Sequence, residues 1–384
     1  MTIRLTIIMS VVFLHIGLPK TGTTHLQDRL WRNRDLALRS SGLLYPGNHM
    51  TDHFHAATHL QPERYLDWVN PDFDDAWPNL LGQMKAWPGK SLLSHELYAT
   101  ATPRHIDTLM SDLSFADEIH VIATVRDLAR QLPSVWQENI KNQRRADFAE
   151  FLASVREHGP AVPGFVPPTD GGEEEPFWEF QDYVRILADW ADAVGPQRVH
   201  LVTVPTRRDT PGESIWERFL RVLDVDPAPL TMDVPNLNSS LPAAQAEYLR
   251  RLNHHLQPSD VHWSRYDGVV KGQVIQILKR AHGAPLGLSA EQRVWAASAA
   301  DDMVAAVRSR GYVISGDLAD LEVSTAAGAD AEPPTTQDIL DVAVTTMAEM
   351  VKEAPIRDDR PRLRTRAMNV ARRARRRVRA LRRR

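Results

Sequence analysis

Short apolar runs, partly β-branched, recur along the chain with polar or helical stretches between them. Val11, Val12, Phe13, Leu14 and Ile16 make the first, which reads as a buried strand. Residues 90–94 (KSLLS), 118–125 (EIHVIATV) and 198–204 (RVHLVTV) read as three more, the third run of the series being the clearest. The intervening segments carry helical spacing. Leu26 and Leu30 sit one turn apart, and residues 177–194 present Tyr183, Leu187 and Trp190 before Gly195 and Pro196 stop the helix. Residues 213–223 read as another helix, and 241–321 as helices with polar breaks and one short apolar stretch at 312–314. Strands alternating with helices predict an α/β fold, a central and mostly parallel sheet flanked by helices, with a helical C-terminal region.

The segments without period divide the rest. Residues 61–90 are rich in Trp and Pro (Trp68, Trp77, Trp87, Pro71, Pro88) and read as an irregular aromatic surface, either core packing or an acceptor wall. Residues 157–176 form a long Pro-, Gly- and acid-rich loop, and 324–336 a linker. One amphipathic helix follows it, residues 337–351 at its heart.

The first strand ends in Gly17-Leu-Pro-Lys-Thr-Gly-Thr-Thr24, where Thr23 or Thr24 can cap the next helix. Strand, glycine-containing loop and helix start together direct free N–H groups and a helix dipole at one anion. Gly17 and Gly22 have Walker spacing, but Thr23 stands where that motif has lysine. Lys20 is the loop's one lysine, so it would meet a phosphate from the loop side, near a bridging oxygen.

Strand ends carry the site in open α/β sheets. The 90–94 strand delivers Ser94, His95 and Glu96 there, and strand alternation puts Ser94 and Glu96 on one side with His95 on the other. Glu96 leads as a general base, before His95 and then His55; helix capping by Ser94 and Glu96 is the plain alternative. His53, His55 and His59 follow the first helix; hydrogen-bonded loop histidines are favoured there over a metal site. Arg126 closes the 118–125 strand and Ser134 stands eight positions later; a guanidinium fork and a hydroxyl suit a phosphate, whereas an ion pair with Asp127 is the structural reading of Arg126 alone.

Pro19-Lys-Thr-Gly-Thr-Thr24 resembles the 5′-phosphosulfate loop of the PAPS-dependent sulfotransferases, in its bacterial form especially, and VRDLARQLPSVWQE resembles their 3′-phosphate motif. Residues 236–240 are similar to a late loop of that family, and residues 207–208 add positive charge after the fourth strand. The resemblance spans residues 11 to about 134. It implies a P-loop-like fold over residues 1–323, with 241–323 mostly helical, then the linker, a helix over 337–356 and a basic tail over 357–384. It also implies metal-free transfer of a sulfuryl group from PAPS to a hydroxyl or amine of a small-molecule, lipid or glycan acceptor. Lys20, Thr21, Gly22, Thr23 and Thr24 would then hold the 5′-phosphate, and Arg126 and Ser134 the 3′-phosphate. A small-metabolite kinase would need a lysine after Gly22 and Mg²⁺; a non-catalytic nucleotide-binding scaffold needs neither.

Composition narrows the setting. The 384 residues are 43% hydrophobic and 25% charged and include no cysteine, so no disulfide framework exists. The apolar residues 1–10 look superficially like a signal peptide but run directly into the first strand, and no run is long enough to span a membrane. A cytoplasmic protein is the expectation, and the Asn238 sequon is discounted accordingly. Residues 357–384 hold fourteen arginines and two aspartates, +12 in a chain of net −3, which leaves −15 for the remainder. Within them Val370, Ala371, Ala374, Val378 and Leu381 form a narrow apolar stripe. That pattern suits an anionic membrane surface, with the acidic remainder of the chain as another partner; without interleaved aromatics it does not suggest specific nucleic-acid binding.

Overall fold

The computed structural model describes residues 9–65, 68–159, 177–206, 213–234, 240–325 and 333–354. Alternation along β1 (Val11–His15) splits the interior in two. Val12 and Leu14 join one buried cluster with Val121, Ala123 and Leu201, while Phe13 joins another with Leu92, Ile122 and Val202. A strand apolar on both sides needs helices over both faces. Among the described residues the sheet has six strands in the order β2-β3-β1-β4-β5-β6, the others being β2 (Leu43–Leu44), β3 (Lys90–Ser94), β4 (Glu118–Val125), β5 (Val199–Thr203) and β6 (Val313–Ser315). Every pairing is parallel, with Val11 opposite both Lys90 and Glu118.

Helices α1 (Thr23–Ser41) and α9 (Ile215–Val222) cover the Phe13 face through Leu26, Leu30, Trp216 and Phe219. The other face carries α2 (Asp52–Leu60), α3 (Ala76–Ala86), α4 (Pro103–Asp112), α5 (Leu128–Lys141), α6 (Phe148–His158), α7 (Phe177–Gln181) and α8 (Tyr183–Val194). Outside them lie α10 (Ala243–His254), α11 (Trp263–Tyr266), α12 (Ile275–Leu278) and α13 (Ala290–Arg308), a π-helical stretch (Asp267–Val274) joining α11 to α12. The last helix, α14 (Thr336–Glu353), packs on α10 and α12. Among the described residues no helix is long and apolar enough to cross a membrane.

Several expectations need correction. The apolar stretch at 312–314 is part of a sixth strand, so the C-terminal region also contributes to the sheet. The helix expected over 177–194 is two, because the Asp182 carboxylate accepts from Arg185 N and starts α8 afresh. Residues 61–90 are not irregular throughout: α3 runs through them, and Trp77 and Trp87 donate to Asp112 and to the Gly42 carbonyl. The linker ends earlier than expected, since Thr335 caps α14, and that helix stops before Pro355. Residues 207–208 and 236–239, most of the 157–176 loop and the basic tail lie outside the described residues.

The order of strands positions the site. From β1 the chain moves to β2 and β3 on one side, then crosses to β4 on the other. The carboxyl ends of β1, β3 and β4 therefore meet at the switch point, where open α/β sheets bind ligands.

Candidate functional site

Gly17 turns the chain out of β1 at φ 92°, a conformation that favours glycine. A Cβ there would stand 2.9 Å from both Cα and Cβ of Glu96, so glycine also lets the end of β3 close against the loop. The loop is built into the fold on every side. Leu18 N donates to Thr124 O at 2.9 Å, extending the β4 pairing past the strand. Gln131 of α5 and Gln181 of α7 both donate to the Pro19 carbonyl, at 2.7 and 3.2 Å. Lys20 holds a left-handed φ of 66°, uncommon for a residue with a side chain.

The start of α1 differs from expectation. Gly22, at φ 98°, is the N-cap, and no side chain closes the helix there. The Thr21 and Thr23 hydroxyls both donate to the Leu18 carbonyl, at 2.5 and 3.1 Å, and both residues are buried. Each hydroxyl has one hydrogen, so neither can donate to an anion in this arrangement. Gly22 and Thr24 are exposed, and no carboxylate lies in the first turn. What faces outward is an uncapped helix N-terminus, the positive end of a 19-residue helix.

Beneath the loop runs a buried polar chain not anticipated from the sequence. His15 Nδ1 lies 2.7 Å from Ser94 Oγ, and Gln27 donates to the Ser94 carbonyl at 2.8 Å. The other His15 nitrogen faces Thr124 Oγ1, itself 2.6 Å from the Thr21 hydroxyl. Burial, with help from His95, drives the His15 pKa down to about 3, so this ring is neutral scaffolding. Ser94 is thus committed to the interior.

Glu96 is half-buried behind Gly17. Burial raises its pKa to about 7, with Glu138 adding to the rise and Lys20 opposing it. His95 does not alternate with it as strand geometry predicts, because β3 ends at Ser94. Instead His95 caps the following 3₁₀ turn (Glu96–Thr100): its Nδ1 accepts from Leu97 N at 3.1 Å. A neutral imidazole accepting at Nδ1 carries its hydrogen on Nε2, which leaves no lone pair for a substrate proton. Burial and the charges of His53 and His55 lower its pKa to about 3. His55 stacks on Phe73 with ring centroids 3.8 Å apart, and burial lowers its pKa. His53 bridges the Pro46 carbonyl and Ser94 N, and His59 lies 3.8 Å from Asp74. The histidines are bound up separately, and no group of three or more metal-ligating side chains is gathered among the described residues.

Lys20 reaches across to Glu138 of α5, Nζ to Oε2 being 2.9 Å; Lys141, one turn on, stands 3.8 Å from the same oxygen. Burial and the charge of Lys20 bring Lys141 down to about 8. Glu138 keeps a lowered pKa despite burial, because Lys20 and Lys141 hold it ionised. Neither Glu138 nor Lys141 stood out in the sequence, although Glu138 follows Ser134 by four residues and so shares its helix face.

Arg126 does not pair with Asp127. That carboxylate accepts from Arg130 N at 2.9 Å, capping α5, and ion-pairs with the Arg130 guanidinium. Among the described residues Arg126 makes one long bond, Nη1 to Lys20 O at 3.4 Å, and its buried Nε has no partner there. Burial and the Arg130 charge lower it to about 10, which still leaves a cation at neutral pH. Ser134 is half-buried on α5, and its hydroxyl makes no hydrogen bond among the described residues.

Clefts of about 460 Å³ and about 710 Å³ lie elsewhere, one lined by Trp136, Arg144 and Phe151 and the other by Glu217 and Arg221, with no residue of the 17–24 loop in either lining. Comparison of the chain with protein-family models, with curated proteins and with solved structures gives no match.

Proposed function

We propose that the protein is a PAPS-dependent sulfotransferase with a P-loop-like phosphate cradle. The observation that carries this reading is Arg126: a half-buried cation, without a carboxylate partner among the described residues, at the end of β4, hydrogen-bonded to the loop that an open helix N-terminus completes. A guanidinium left this way favours an anionic ligand strongly. Two phosphate sites one strand apart fit a nucleotide bearing both 5′- and 3′-phosphates. The 5′-phosphate would rest on N–H groups of Gly22, Thr23 and Thr24 and the α1 dipole, and the 3′-phosphate on Arg126 and Ser134.

In this mechanism the acceptor oxygen attacks sulfur in line. The bond from sulfur to the 5′-phosphate oxygen breaks, and the acceptor proton passes to Glu96. Glu96 is the base because its pKa of about 7 matches neutral operation, whereas Glu138 is held ionised and weakly basic by its lysines. Lys20 leaves Glu138 to stabilise the charge that develops on the bridging oxygen. A kinase reading is weaker: the position after Gly22 is Thr23, whose hydroxyl is turned into the loop. The acceptor is a small-molecule, lipid or glycan hydroxyl or amine. Incubation with ³⁵S-labelled PAPS and an acceptor panel tests the reading against γ-³²P-ATP with Mg²⁺. Label transfer from PAPS alone is the expected result; phosphoryl transfer from ATP would replace it with the kinase.

A further inference from the structure

One helix keeps a large apolar face in solvent. On α14, Ile339 and Thr346 are buried, and Val342 and Met350 pack against the core beside them. On its other side Leu340, Val344, Met347 and Val351 are 53, 61, 61 and 69% exposed. Their spacing of four, three and four residues makes one continuous stripe. Single exposed apolar residues need no explanation, but a stripe of this regularity does.

Charge decides what can cover it. The helix carries Asp338, Asp341, Glu349 and Glu353 against Lys352 alone, and it stays acidic even with Glu353 paired to Arg280 at 2.5 Å. An anionic membrane would repel such a helix, and a second copy would bring up the same acidic face. A cationic apolar partner fits, and the chain supplies one. Val370, Ala374, Val378 and Leu381 lie among the arginines of residues 357–384. Both stripes span twelve residues from first to last, eleven helical rises or about 16 Å in helical form.

We propose that the exposed face of α14 is the docking site for the chain's own arginine-rich segment, residues 370–381, laid antiparallel across it. Val351 then faces Val370, Met347 faces Ala374, Val344 faces Val378 and Leu340 faces Leu381. Ala354 leaves α14 in extended conformation before Pro355, which permits the reversal. The sixteen residues from 354 to 369 reach about 22 Å as a flexible linker, more than the 8–10 Å between packed helix axes. Tethering by such a linker gives an effective concentration in the millimolar range, which favours contact within one chain. The basic segment is thereby withdrawn from other anionic partners until one outcompetes α14. This inference is independent of the reading of the nucleotide site.

The chain has no cysteine, so engineered pairs report cleanly. In the full chain, V344C/V378C is expected to close an intrachain disulfide under mild oxidation. V344C/V370C, with its second thiol displaced by eight residues or about 12 Å along a helix, is expected to close at least tenfold more slowly. Val344 is 61% exposed, so its replacement leaves the described core intact, and circular dichroism checks that each variant folds. Equal closure of the two pairs overturns the proposal. So does a bridge found only between chains, which assigns the face to a second copy. Failure of both pairs to close overturns it as well; if the V344C thiol is then shielded from maleimide only by phosphatidylglycerol vesicles, the face belongs to a membrane.

Discussion

Replacing Glu96 by glutamine separates what burial does to the fold from what it does for catalysis. Burial lifts this carboxyl from 4.5 to about 7. The folded state therefore holds its proton more tightly than the unfolded chain. Stability linked to Glu96 is fully present below pH 4.5 and is lost as pH rises toward 7. A difference of about 2.5 units, at 1.36 kcal/mol each, is a loss of about 3 kcal/mol above pH 7. Glu96→Gln cannot titrate, so it escapes that loss. Urea unfolding of both proteins across pH 5 to 8 reads the difference, since all other groups titrate alike in the pair. The variant's advantage is expected to grow from under about 1 kcal/mol at pH 5 to about 3 kcal/mol at pH 8. In the same variant kcat should fall about 10²- to 10⁴-fold, the usual contribution of a general base, with affinity for 3′,5′-ADP unchanged within a few-fold. Parallel stability profiles would mean that Glu96 titrates as an ordinary carboxylate, and the argument for it as a base tuned to neutral pH would fail.

Arg126→Ala should weaken 3′,5′-ADP binding about 10- to 100-fold, the worth of charge-assisted hydrogen bonds, while leaving 5′-AMP affinity nearly unchanged in calorimetry; equal losses for both ligands would remove Arg126 from the 3′-phosphate. Glu138→Gln deletes a charge that raises the Glu96 pKa and releases Lys20, which lowers it. The acidic limb of the kcat/KM profile should therefore move below pH 7, and an unmoved or higher limb would contradict the coupling. His95→Ala should cost about 1 kcal/mol in thermal or urea unfolding, through loss of the cap on Leu97 N, yet keep kcat within about tenfold. A dead but fully folded His95→Ala variant would reverse the order of the candidate bases.

The sheet was legible because its strands are apolar on both faces: residues 90–94 and 118–125 have the bounds read from the sequence. Strands β2 and β6, two and three residues long, left too little pattern to register. At the candidate site, the placement of Arg126 and Glu96 beside the loop was legible because a strand end fixes where the next residues go. Side-chain partners were not. The Thr21 and Thr23 hydroxyls look like phosphate donors until they are seen to meet the Leu18 carbonyl. His95 looks like a base until the chain after β3 turns into a 3₁₀ helix and makes it the cap. Glu138, Gln131 and Gln181 reach the loop across long sequence separations, which local spacing does not encode.

The most direct measurement is calorimetric titration of the full chain with 3′,5′-ADP, and separately with ATP and Mg²⁺. Binding of 3′,5′-ADP in the micromolar range, with ATP and Mg²⁺ at least tenfold weaker, is the expected result. Preference for ATP and Mg²⁺, or no binding of either nucleotide, would contradict the assignment of the loop and Arg126 to PAPS.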